Sequence, residues 1–143
     1  MNKPECVTYE DGTKEWYDNG KRHREDGPAI KHTNGDKEWW LNGELHREDG
    51  PAMEYSDGEK RWYLNGKVHR EDGPAAEYAD GDKSWYLNGK CHREDGPAIE
   101  HTNGDKDWYL NGVYTDPETI VDLWLMRGEF CFYDKDNDCL NFG

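Results

Sequence analysis

The sequence is poor in the material of a conventional globular core. Apolar residues make up 33% of the 143, and charged residues make up 35%. No unbroken apolar run exceeds four residues, as in Leu123–Met126, whereas a membrane-crossing helix needs roughly 20. Positive charge is also scarce. There are 18 Lys and Arg against 32 Asp and Glu, a net −14. That balance excludes a dedicated nucleic-acid grip, which needs a basic patch on the phosphates. It also disfavours attraction to anionic membranes. The opening segment carries Lys3, Glu5, Glu10, Asp11 and Glu15, so no secretory apolar stretch is expected and a cytoplasmic setting is. Cys6, Cys91, Cys131 and Cys139 lack Cys-x-x-Cys or Cys/His finger spacing. They read as reduced thiols, with no metal and no cofactor. Motifs for a P-loop, a nucleophile elbow or a His-Glu-x-x-His zinc site are missing too, so the expectation is a non-enzyme.

A chain this charged and this short of apolar residues would ordinarily stay disordered. Its aromatics argue otherwise: they are 13% of the residues, with seven Trp and nine Tyr. Their spacing explains them. The heptad His-Arg-Glu-Asp-Gly-Pro-Ala begins at His23, His46, His69 and His92, a period of 23. Trp16, Trp39, Trp62, Trp85 and Trp108 keep the same register, as do the Asn-Gly pairs from Asn19-Gly20 to Asn111-Gly112. Residues 7–114 therefore hold five units, and a fixed period of this size means a stacked array.

Each unit reads as β. Ala52–Ser56 is a strand, Asp57-Gly58 a two-residue hairpin turn, Lys60–Leu64 the return strand and Asn65-Gly66 a second tight turn. The expected fold is all-β: an elongated antiparallel meander of stacked β-hairpin repeats in a single sheet, about two strands per unit. Period two puts the five Trp on one face as the buried core. Tyr17, Trp40, Tyr63, Tyr86 and Tyr109 fall on the other, joined by Tyr9, His32, Tyr55, Tyr78 and His101 of the partner strands. Residues 1–114 form the array and residues 115–143 a helix-plus-hairpin cap, with a partner-binding tail as the alternative. Asp116-Pro117-Glu118 is a helix start. Ile120, Val121, Leu123, Trp124 and Leu125 give the apolar stripe, and Gly128 the stop.

The units Asn-Gly-Lys-x-His and Gly-Pro-Ala-x-Glu-Tyr-x-Asp-Gly-x-Lys-x-Trp-Tyr-Leu resemble MORN-type repeats, more closely the MORN variant. Arrays with the His-Arg-Glu-Asp-Gly-Pro-Ala signature resemble those in uncharacterised proteins of large tailed phages and giant viruses. An ordinary MORN repeat has Gly-x-Gly after the His; here Arg47-Glu48-Asp49 precedes Gly50. The resemblance implies a small viral accessory protein that binds and inhibits a host protein, a defence or nucleic-acid enzyme, in the host cytoplasm.

Three constellations carry candidate chemistry. Arg24, Arg47, Arg70 and Arg93 form a row able to grip carboxylate or phosphate bidentately, or to pair with neighbouring carboxylates and close the loop. The row of Tyr17, Trp40, Tyr63, Tyr86 and Tyr109, with His32 and His101, is either a solvated second face or a binding surface; Tyr, Trp and Arg dominate interface hot spots. Asp134-x-Asp136-x-Asp138 begins like a calcium loop, but Cys139 stands where Gly is needed, so it reads as a polar hairpin tip. The leading expectation is a protein-binding repeat array with a host-protein partner. Capture of a nucleotide-like or phosphorylated ligand by the Arg, His and Tyr rows is the alternative. Homodimer assembly through exposed strand edges is the third. By segment the charge is uneven: −1 for residues 1–22, then −2, −1, −2 and −3 for the four 23-residue units, and −5 for the last 29 residues.

Overall fold

The computed structural model describes residues 3–143. A single antiparallel meander of 12 strands runs the length of the array, followed by one helix and a terminal hairpin. Each middle unit contributes two strands to this main sheet. In the third unit they are Met53–Glu54 and Lys60–Arg61, paired Met53↔Arg61 and Glu54↔Lys60. Lys60–Arg61 pairs in turn with Ala76–Glu77 of the next unit.

The return strand does not run through to Leu64 in one ladder, as its sequence suggests. It divides at Trp62. Tyr63–Leu64 leaves the main sheet and pairs with Lys67–Val68 in a small hairpin. The same break falls at Trp39 and Trp85, whereas Lys14–Asp18 and Lys106–Leu110 in the end units stay continuous. The backbone shows how Trp62 bridges the two ladders. Its N–H donates to Ala75 O (2.8 Å), and its carbonyl accepts from His69 N (3.0 Å). Neighbouring small hairpins are tied as well, by Arg47 N–H to Tyr63 O (3.1 Å) and Gly66 N–H to Leu45 O (2.9 Å). Each unit is therefore joined to the next on both sides, so stacking alone satisfies most of the backbone.

The two turns differ. Asn65 (φ 50°) and Gly66 (φ 76°) both sit in the left-handed region, giving the type I′ hairpin expected of Asn-Gly. The Asp57-Gly58 turn is a three-residue loop instead. Gly58 N–H donates to Tyr55 O (3.0 Å) and Tyr55 N–H to Glu59 O (2.9 Å), and only Gly58 has positive φ. Asp57 is free to accept from Glu59 N–H with its side chain (2.9 Å), the usual local use of Asp in turns.

The core is also not where the aromatic pattern put it. The residues fully withdrawn from solvent along the array are small: Ala29, Ala52, Ala75 and Ala98 are each 0% exposed. Trp16, Trp39, Trp62 and Trp85 are only half-buried, and Trp108 alone among the five is buried. One thin sheet has no second layer to enclose a large ring, so Ala takes the closely packed position.

The C-terminal helix spans Pro117–Met126, and Thr119 N–H donates to the Asp116 side chain at its start (2.7 Å). Ile120 is fully buried, but Leu125 of the expected apolar stripe is 51% exposed. The terminal hairpin pairs Cys131–Asp134 with Cys139–Phe142. Asp134 accepts from Asp136 N–H (3.0 Å) and from the Asn137 side chain (2.8 Å) at its tip. The cap seats on the end of the array through Trp124 Nε1–H to Glu94 O (2.6 Å), Arg127 to both Glu94 carboxylate oxygens, and Lys106 Nζ to Asp138 O (2.7 Å). Tyr133 meets Trp108 edge-on at 6.1 Å. It stands where a further heptad would have supplied an Arg.

Candidate functional site: the loop grooves and the aromatic row

The heptad loop is built around its Arg. Arg47 lies over the Trp39 ring at 3.9 Å. Its Nε donates to Asp49 (2.9 Å), and its Nη1 donates to Pro51 O (3.1 Å) and Glu54 (2.9 Å). Arg70 and Arg93 repeat the pattern over Trp62 and Trp85 at 4.1 and 4.0 Å, with Glu77 and Glu100 as the strand carboxylates. Arg24 sits over Trp16 at 4.0 Å and binds Asp26 and Pro28 O. The heptad Gly has a reason distinct from turn geometry. A Cβ on Gly50 would lie 3.0 Å from the Arg47 guanidinium carbon, so any larger residue there would push the Arg off its seat by a few tenths of an ångström. Arg47, Arg70 and Arg93 thus commit Nε and Nη1 to their own loop and strand, whereas Arg24 lacks the strand carboxylate among the described residues and keeps more donors unused.

His of the heptad is a clamp between units. His46 Nδ1 accepts from Asn65 N–H of the next unit's turn (3.0 Å), and His23, His69 and His92 do the same for Asn42, Asn88 and Asn111. This use requires an unprotonated Nδ1, which leaves the proton on Nε2, facing the loop Glu. What the loops send outward is carboxylate: the Asp26, Asp49 and Asp72 side chains are 86–88% exposed. Between successive loops lie equivalent grooves. One of about 740 Å³ is lined by Trp62, Leu64, His69 and the Arg47 and Arg70 loops; another of about 700 Å³ has Trp39, Leu41 and His46 in the same roles. The groove at the fourth loop also receives Trp124 of the cap.

The predicted aromatic row lies away from these grooves, and Tyr17, Trp40, Tyr63, Tyr86 and Tyr109 are all half-buried. At its N-terminal end it is a connected network. Tyr17 donates to Glu15, Glu15 also receives Arg22 Nε (3.0 Å), and Arg22 reaches over Trp40 at 5.3 Å. Trp40 Nε1 donates to Glu38, which also meets His32 at 2.9 Å. The hydrogen bond to Glu15 holds the Tyr17 phenol up at about 12. In the middle, Arg61 lies between the Tyr55 and Tyr78 rings at 5.8 and 5.7 Å, its guanidinium bound to Glu59. At the far end His101 bridges Asp82 (2.7 Å) and Asp107 (3.3 Å), and these carboxylates raise its pKa, Asp82 foremost. The row therefore brings together Tyr17, Trp40 and His32; it leaves His101 apart with its own acidic pair.

An exposed apolar surface sits on the cap. Met126 is 86% exposed, Phe130 62% and Phe132 49%, and the two Phe rings meet at 6.1 Å. Its signal in the sequence is the alternation Phe130-x-Phe132. Among the described residues no three His, Cys, Asp or Glu side chains converge as metal ligands, and no helix is long and apolar enough to cross a membrane. No family model matches the chain, and no curated protein matches it either.

Proposed function

We propose that the chain is a non-enzymatic binding protein that holds a partner protein on its aromatic row. One observation carries the reading. Arg47, Arg70 and Arg93 of the loop face are engaged in stacking, turn closure and ion pairs with strand carboxylates, while Tyr63 and Tyr86 lie partly exposed away from the loop grooves. Half-exposed Tyr and Trp on a rigid support, with Arg61 and the paired carboxylates beside them, are the composition of interface hot spots. The grooves of the loop face repeat the same residues from unit to unit, and repetition suits recognition better than catalysis, which needs a unique constellation. By its likeness to phage and giant-virus arrays, the partner is a host protein and the consequence is its inhibition.

Capture from host lysate on the full chain, followed by affinity measurement with the captured protein, tests the reading. Tyr63→Ala with Tyr86→Ala should weaken binding by roughly 30-fold, the scale of a lost hot spot. Unchanged affinity in a folded double variant refutes the assignment of the face. The exposed Met126, Phe130 and Phe132 favour a second reading, in which the cap itself is the partner-binding segment, since apolar patches of this kind mark interaction sites. Phe130→Ser and Phe132→Ser together abolish binding in that case and leave it intact in the first.

A further inference from the structure

The second unit breaks a charge pattern that the later units keep. Across the main sheet, directly opposed residues run Lys37–Glu54–Lys60–Glu77–Lys83–Glu100–Lys106. Signs alternate along that row, which stabilises adjacent strands. At the N-terminal end the row reads Lys14–Lys31–Lys37. Lys31 occupies the position that Glu54, Glu77 and Glu100 hold in the later units. Like charges directly opposite one another are unfavourable, and nothing in the stacking calls for them here.

The substitution has a second consequence. Glu54, Glu77 and Glu100 each meet the Nη1 of the Arg in the heptad just before them. Arg24 has no such strand carboxylate among the described residues; its ion pair is with the loop residue Asp26. Lys31 Nζ instead lies 5.7 Å from the Trp16 ring that Arg24 covers at 4.0 Å. Two cations thus share one ring, with Lys14 and Lys37 in register on either side. The groove beside Trp16, about 680 Å³, is lined by Lys3, Pro4, His23 and Arg24. Its acidic members are Asp18, Glu25 and Asp26. Asp26 is held by Arg24, Glu25 faces His23, and Asp18 stands opposite Lys21.

We infer that Lys14, Lys31, Lys37 and Arg24 form a site for a dianionic phosphoryl group beside Trp16, independent of the aromatic row. The missing carboxylate of the second unit is supplied by the ligand. A phosphate monoester carries about −1.5 to −2 at neutral pH, enough to offset Lys31 and one flanking lysine. It also has three oxygens for donors arriving from separate strands and a loop. Free phosphate and a phosphate ester share this chemistry, and an aromatic ester would add contact with the Trp16 ring.

The test is titration of the full chain with inorganic phosphate and, separately, phenyl phosphate, followed by two-dimensional amide NMR at constant ionic strength. Shifts should saturate and cluster at Lys14, Trp16, Arg24, Lys31 and Lys37. Tighter binding of phenyl phosphate identifies an ester ligand, and equal binding identifies the phosphate ion. Lys31→Glu installs the pair that the later units already have, so it should fold at least as stably while binding at least about tenfold more weakly. Glu77→Lys recreates the lysine row beside Arg70 and should add a second site there. Linear, unsaturated shifts matched by sodium chloride overturn the proposal, and so does unaltered phosphate binding in Lys31→Glu.

Discussion

Replacing Arg70 with Ala isolates what the heptad arginine does. Its guanidinium lies 4.1 Å over Trp62, donates to Pro74 O at 3.1 Å and to Asp72 at 2.9 Å, and comes within 3.5 Å of Glu77. The side chain is 24% exposed, whereas that of Asp72 is 88% exposed. The cation–π contact in such a partly buried place contributes about 0.5–2 kcal/mol. A charged donor on a half-buried carbonyl contributes about 1.5–3 kcal/mol. The Asp72 pair, screened by water, adds under about 1 kcal/mol. These overlap, so the expected loss is about 2–4 kcal/mol and not their sum. Urea denaturation followed by Trp fluorescence measures it, with Arg70→Lys as the control. Lysine keeps the charge but not the planar fork, and should recover less than half of the loss. If Arg70→Ala costs under about 0.5 kcal/mol, the loop does not depend on its Arg for closure, and the row regains its standing as a binding surface.

Two further predictions follow from titratable groups. His101 has its pKa raised above 6.5 by Asp82 and then Asp107. A raised histidine adds stability that is fully present below pH 6.5 and is lost as pH climbs through the folded value. The melting-temperature gap between the native chain and His101→Gln should therefore be widest in mild acid and close toward alkaline pH; a gap independent of pH refutes the ion pair. Burial holds the Cys91 thiol up at about 11, and Cys131 is buried while Cys6 is exposed. Brief maleimide labelling at pH 8, read by mass spectrometry, should modify Cys6 first and spare Cys91 and Cys131; early modification of Cys91 contradicts its packing.

The 23-residue period determined the architecture outright. Once Trp16 through Trp108 and the Asn-Gly pairs recur in register, antiparallel hairpins stacked in a row follow from turn chemistry and strand propensity. The helix start at Asp116-Pro117 was equally legible, because capping is local. What the sequence could not decide was which half of each strand pairs with what. Lys60–Arg61 and Tyr63–Leu64 look like one strand, yet two ladders compete for the chain, and the division at Trp62 depends on Ala75 of the next unit and His69 of its own. The core was misplaced for the same reason. Ring size suggested Trp, but in a single sheet depth is set by neighbouring layers, and the closest approach belongs to Ala29, Ala52, Ala75 and Ala98. The Arg row and its bare glycines illustrate it again: the letters announce donors, and only the fold shows that a Trp ring eight residues upstream lies beneath them. Lys31 is the converse case. It is one ordinary exposed lysine in the sequence, and becomes an unbalanced charge only when the register sets it between Lys14 and Lys37.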